Sequence, residues 1–124
     1  MNDDVVIFAY TRKQAIEDGV LVDVTDTAKE AGIRFPVALT GTVYGHCVSV
    51  PDGVTGQDER GRLWDVLWML RHAVRQLRRE ESTIFYTVLV RNDEAEAKPV
   101  RLKAVCGPDD DAAPCITVMF PDED

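Results

Sequence analysis

Between Gly61 and Leu77 the apolar positions follow a single period. Leu63, Leu67, Leu70, Val74 and Leu77 recur at spacings of four and three, the stripe of an amphipathic α-helix. Trp64 and Trp68, one turn apart, widen that stripe on one side and are expected in the core. Thr55 or Asp58 is placed to cap the helix, which the pattern predicts over residues 59–79 with Glu80-Glu81-Ser82 as its end. After it the period changes. Residues 84–91 are mostly β-branched and aromatic. Val100, Leu102, Ala104 and Cys106 alternate with Arg101, Lys103 and Val105. Residues 115–120 put Ile116, Val118 and Phe120 on one face. Three strands joined by the polar loops 92–98 and 107–114 predict an antiparallel meander, and the long helix carries the apolar stripe needed to cover one of its faces.

The first half is cut into smaller pieces. Residues 5–10 and 20–24 read as short strands. Thr11 and Gln14, and again Thr27 and Glu30, have the spacing of a capping box, with Gly19 and Gly32 placed as helix stops. Residues 35–50 are ambiguous. Pro36 suits a first helical position, and Val37, Tyr44, Cys47 and Val48 keep rough helical spacing. Gly41 and Gly45 each cost about 1 kcal/mol in a helix interior, however, and the stretch is rich in β-formers. The reading leans to a helix with a bare, glycine-lined face for close packing. The whole is expected to be one α+β domain over residues 1–124: a three-stranded antiparallel C-terminal meander covered by one long amphipathic helix, with short helices and strands in the N-terminal half.

Composition narrows the function classes. At 124 residues with 45% hydrophobic positions the chain is long enough for a core, and no apolar run approaches the ~20 residues of a membrane span. The acidic N-terminus lacks the basic region of a secretory signal, so a cytoplasmic protein is expected. A net charge of −8 argues against generic binding to nucleic acid. That charge is uneven. No Lys or Arg follows Lys103, where Asp109-Asp110-Asp111 and Asp122-Glu123-Asp124 form two acidic runs, whereas Arg60, Arg62, Arg71, Arg75, Arg78 and Arg79 gather on the long helix. The acidic runs read first as solvated ends, and more sharply as a negative surface for a basic protein partner.

Chemistry-bearing motifs are sparse. Three cysteines, Cys47, Cys106 and Cys115, suit free thiols in a reducing compartment, although a bridge between Cys106 and Cys115 across a hairpin is geometrically open. His46-Cys47 is the only adjacent pair of good metal ligands, with no second pair to complete a site, so neither metal nor cofactor is expected. A nucleophilic pair of Cys47 with His72 is open but has no local support. Phosphate-binding, dinucleotide-binding, hydrolase and metalloprotease motifs are absent. The arginines of the helix, Arg71, Arg75 and Arg78 on one face with Arg79 beside it, are expected to pair with carboxylates. The sharper reading is a ligand-binding patch of Arg62, Arg71 and Arg75 with Trp68, and a partly exposed Trp68 would suit a partner's hot spot.

Four segments also carry a resemblance: Tyr10-Thr-Arg-Lys-Gln-Ala-Ile-Glu-Asp-Gly-Val-Leu-Val-Asp-Val24, Phe35-Pro-Val-Ala-Leu-Thr40, Gly61-Arg-Leu-Trp-Asp-Val-Leu-Trp68 and Leu102-Lys-Ala-Val-Cys-Gly-Pro108. Together they resemble a family of small proteins of uncharacterised function carried by bacterial plasmids, phages and integrative elements. The resemblance implies a prokaryotic cytoplasm and a mobile-element setting. It brings no catalytic residue with it. The expected function is therefore a non-enzymatic accessory protein that binds another protein, in one version an acidic mimic of DNA. The alternative is a small enzyme or binding protein for a nucleotide-like anion, with Arg12, Arg62 and Arg71 as anion contacts and Tyr10, Asp23 or Asp65 as polar partners. A homodimer through the Trp-bearing helix is a third reading.

Overall fold

The computed structural model describes residues 10–76, 82–93 and 95–123. The expected strand over residues 5–10 falls almost wholly outside them, as do Leu77, Arg78 and Arg79. From Thr11 onward the chain builds α1 (Arg12–Glu17), β1 (Leu21–Asp23), α2 (Thr25–Glu30) and β2 (Val37–Thr40). A single turn α3 (Gly41–Val43) runs into a π-helical turn (Tyr44–Val48). Then come α4 (Glu59–Arg75), β3 (Thr83–Val90), β4 (Lys98–Pro108) and β5 (Pro114–Met119).

Local chemistry explains most of these boundaries. The Thr11 hydroxyl accepts from the Gln14 amide while the Gln14 side chain accepts from the Thr11 amide, a complete capping box. Gly19 and Gly32, both at positive φ, follow α1 and α2 where an L side chain would be strained. The second predicted box is displaced: α2 begins at Thr25, Thr27 lies inside it, and the Asp23 carboxylate accepts from the Thr25 amide. Asp58 caps α4 through the Gly61 amide.

Residues 35–50 are strand and helix in succession. β2 is buried at all four positions, Val37, Ala38, Leu39 and Thr40, because both faces of the sheet are covered there. A strand buried on both sides has no alternation, so periodicity cannot separate it from a helix. Pro36 therefore precedes a strand, and its carbonyl accepts from Ile116. The turn back into helix needs Gly41: a Cβ there would lie 2.9 Å from the Gly19 carbonyl oxygen, and the Gly41 amide donates to Val20. Gly45 has open space around it.

The sheet is five-stranded and mixed, in the order β1-β2-β5-β4-β3. The expected three-stranded meander is its antiparallel part. β2 adds to β5 in parallel, through Val37 opposite Ile116 and Leu39 opposite Val118, and β1 adds antiparallel to β2. α4 lies across the face made by Tyr86, Val88, Leu102, Ala104, Ile116, Val118, Val37 and Leu39. Leu67 and Leu70 are fully enclosed there, and Val66 nearly so. The predicted stripe is thus rotated slightly. Leu63 and Val74 are at its margin, and Arg62, Val66 and Leu70 run down its centre. Among the described residues no helix is long and apolar enough to cross a membrane.

Candidate functional site

The long helix holds most of the side chains that sequence reasoning singled out, and the fold divides them between its two sides. Arg62 points inward and is 5% exposed. Its Nε donates to the Cys47 and Val48 carbonyls at 3.1 Å, Nη1 to the Arg91 carbonyl at 2.7 Å, and Nη2 to the His46 carbonyl at 3.1 Å and Asn92 Oδ1 at 2.6 Å. Burial lowers its pKa, and no carboxylate pairs with it among the described residues. What holds a buried cation here is the carbonyl end of the π-helical turn, whose unpaired C=O groups carry partial negative charge. Arg62 is therefore committed to joining the turn, α4 and the end of β3, and is not placed to contact a ligand.

On the outward side stand Trp64, Trp68 and Arg71. The two indoles are 37% and 39% exposed and stack on each other, 5.8 Å between centroids and 17° from parallel. This corrects the expectation that they are core residues: they flank the stripe on the side turned to solvent. The Arg71 guanidinium lies 5.0 Å from the Trp68 ring centre, and His72 meets the same ring edge-on at 5.4 Å. Gly32 makes room for Arg71, since a Cβ there would fall 2.8 Å from its Nε. Arg75 is exposed one turn further on. Neither Arg71 nor Arg75 pairs with a carboxylate among the described residues, contrary to the pairing expected; the one ion pair there is Arg60 with Glu30 at 3.6 Å, between exposed side chains. Trp68, Arg71 and Arg75 thus share a face that Arg62 does not.

Of the residues named for an anion site, Arg12, Arg62, Tyr10 and Asp23 are engaged within the fold. Arg12 donates to Thr117 Oγ1 and the Ile116 carbonyl, Tyr10 to the Asp18 carboxylate, and Asp23 is spent on Thr25. An open trough of about 790 Å³ lies at the start of α4, lined by Gln57, Asp58, Arg60, Arg62, Trp64 and Asp65. Arg62 turns its nitrogens away into the protein, and Asp58 is engaged in capping. Burial pushes the Asp65 carboxyl above its ordinary range, although the residue as a whole faces solvent.

The cysteines are structural. Cys47 is 1% exposed, and burial pushes its thiol up to about 11 against the opposing influence of Arg62. His72 lies on the far side of α4, so the fold does not assemble a Cys47–His72 pair. Cys106 stands opposite Ile116, and Cys115 opposite Gly107, one position out of step. Neighbouring positions point to opposite faces of a sheet, so a bridge between these thiols is excluded.

The acidic runs have internal partners that sequence reasoning did not anticipate. Asp110 accepts from the Arg12 and Lys13 amides, which hold its carboxyl below the usual range at the start of α1. Asp109 folds its own loop by accepting from the Asp111 and Ala113 amides. Glu123 Oε1 accepts from the Thr40 hydroxyl and the Phe120 amide, and Oε2 from the Thr42 hydroxyl. Lys103 donates to the Pro121 and Glu123 carbonyls. The C-terminal segment is thereby clipped onto the β2–α3 junction. Nothing in a local acidic run signals the contacts of Asp110 with the start of α1 or of Glu123 with Thr40 and Thr42, because those partners lie 81 to 98 positions away.

A family model matches residues 1–124, described as a family of unknown function (DUF6573). The chain belongs to this family. No curated protein and no solved structure matches it.

Proposed function

We propose that this DUF6573 protein acts by binding another protein, with the outward face of α4 as its contact surface. The observation that carries the reading is the exposed Trp64–Trp68 stack with Arg71 lying over it. Trp and Arg dominate interface energetics, and two large aromatics held open to solvent on a helix whose other side is fully packed suit a preformed anchor. Arg71 has an aromatic neighbour and bare backbone at Gly32, but no carboxylate partner among the described residues. It is therefore available to a partner's acidic group. An accessory role in a mobile element is part of the same proposal. The version built on DNA mimicry, and with it a basic partner, has weaker support, because Asp109, Asp110 and Glu123 are engaged within the fold.

The test is a pull-down from a native host with the wild-type chain and with a Trp64→Ala/Trp68→Ala double variant, thermal melts confirming that both are folded. A stoichiometric partner that survives a high-salt wash and is lost with the double variant is the expected result, since truncating such anchors costs about 2–4 kcal/mol of binding. A partner that leaves the wild type at high salt yet still binds the double variant at low salt would overturn the proposal in favour of the acidic surface.

A further inference from the structure

β3 is the outermost strand of the sheet, and among the described residues nothing pairs with its free edge. Most edge strands are guarded by charge, proline, a bulge or brevity. β3, Thr-Ile-Phe-Tyr-Thr-Val-Leu-Val, has none of these: it is eight residues long, uncharged and free of proline, and it pairs with β4 without a break from Thr83 opposite Val105 to Val90 opposite Lys98. The Cys106 amide donates to the Ser82 carbonyl at 2.7 Å in this same register. Hydrogen-bonded positions alternate in an antiparallel ladder, so Ile84, Tyr86, Val88 and Val90 are bonded to β4, while Thr83, Phe85, Thr87 and Leu89 turn their N–H and C=O groups outward. Phe85 and Leu89 are also among the exposed large apolar side chains, at 46% and 64%.

These outward positions are self-complementary. Phe85 and Leu89 sit two residues to either side of Thr87. If two copies of β3 pair antiparallel about Thr87, each Phe85 falls opposite the other copy's Leu89, and Thr87 falls opposite itself. Both are favourable cross-strand pairs, and every outward N–H and C=O from Phe85 to Leu89 finds a partner. β3 itself brings no charge against like charge, although the chain carries −8 overall; beside it the Arg101 guanidinium lies 4.9 Å from the Phe85 ring. The flanking helices also come into register. α4 runs antiparallel to β3, with Asp65 at the Val88–Val90 end and His72 at the Ile84–Phe85 end. A two-fold axis at Thr87 sets Asp65 of one copy level with His72 of the other and with the Arg75 end of its helix. We infer that β3 is a homodimer seam, joining two five-stranded sheets into one continuous sheet. This goes beyond the tryptophan face and does not rest on it.

Sedimentation equilibrium on the wild type, Thr87→Pro and Leu89→Lys tests the inference, with hydrogen exchange on the same samples. Proline at 87 removes only an outward N–H, which an edge strand tolerates. Lysine at the exposed position 89 puts a charge opposite Phe85. The expected result is twice the chain mass for the wild type at micromolar concentration, with the Phe85, Thr87 and Leu89 amides protected, and a folded monomer for both variants with the Phe85 and position-89 amides exchanging freely. A wild-type monomer with fast exchange at these amides would overturn it. So would a dimer that persists in both variants, which would put the interface elsewhere, or a wild type whose β3 edge is protected only when a foreign chain is bound. Trp64→Ala/Trp68→Ala should leave the dimer intact, so failure of one proposal is visible separately from failure of the other.

Discussion

Replacing Arg62 is the most informative perturbation of this fold. In Arg62→Ala five oxygens lose a donor, but not all are orphaned. The His46 carbonyl keeps the Asn92 side-chain amide at 2.8 Å, and the Arg91 carbonyl keeps Gln57 Nε2 at 2.7 Å. The Cys47 and Val48 carbonyls and Asn92 Oδ1 are left without their donor. A buried polar group stripped of its partner costs about 1–3 kcal/mol, and the lost stem adds a packing cost. Relief of the guanidinium's own desolvation, together with water entering from the adjacent trough, brings the expected net loss to about 3–4 kcal/mol. Against a total stability of about 5–15 kcal/mol this is a large fraction, and in a chain of this size it lowers Tm by roughly 10–15 °C. Arg62→Lys retains the charge but loses the planar fork that reaches several carbonyls at once, and should recover no more than about half of the loss. Arg60→Ala, two residues away and solvent-exposed, should stay within about 0.5 kcal/mol of wild type. Urea unfolding followed by circular dichroism measures all three. An Arg62→Ala stability within about 1 kcal/mol of wild type would refute the assignment of Arg62 as a structural tie and reopen it as a ligand contact.

Three further outcomes are expected. Burial pushes the Glu123 carboxyl up, but the Thr42 hydroxyl, the Phe120 amide, the Thr40 hydroxyl and the nearby Lys103 charge outweigh it and hold the group below its ordinary value of 4.5. The folded pKa is the lower one, so this stabilisation is present above that ordinary value and is lost as pH falls through the folded pKa; Glu123→Gln should lower stability by about 1–2 kcal/mol at pH 7, with the gap to wild type closing in acid melts. Gly41→Ala forces a methyl group against the Gly19 carbonyl and should cost about 1–3 kcal/mol in urea unfolding, whereas Gly45→Ala, in a helical turn with space around it, should be neutral or stabilise by up to about 1 kcal/mol. Cys47, buried and with its thiol at about 11, should react with a thiol reagent only at the rate of global unfolding, so its labelling should slow in step with added stability.

Elements whose cause is local were legible in the sequence. The Thr11 box with Gly19 and the alternation of Val100, Leu102 and Ala104 each rest on neighbours within a few positions and stand where the pattern put them, and the α4 cap fell to Asp58, one of the two candidates the pattern offered. Periodicity alone determined that α4 is amphipathic and that its apolar side covers a sheet. Three things depended on chain-distant neighbours and were decided by the tertiary structure. Val37–Thr40 became a strand because β1 and β5 flank it and both its faces are covered, which erases the alternation that marks a half-exposed strand. Arg62 became a core residue because the carbonyl end of the π-helical turn needed donors, while Trp64 and Trp68, more apolar, were left outside; a wheel of residue types cannot show where a helix's neighbours leave carbonyls unpaired. Glu123 and Asp110 became internal clips because amides and hydroxyls from other elements meet them. The sequence determines which segments have an apolar face; only the packed chain decides which polar groups that packing must satisfy.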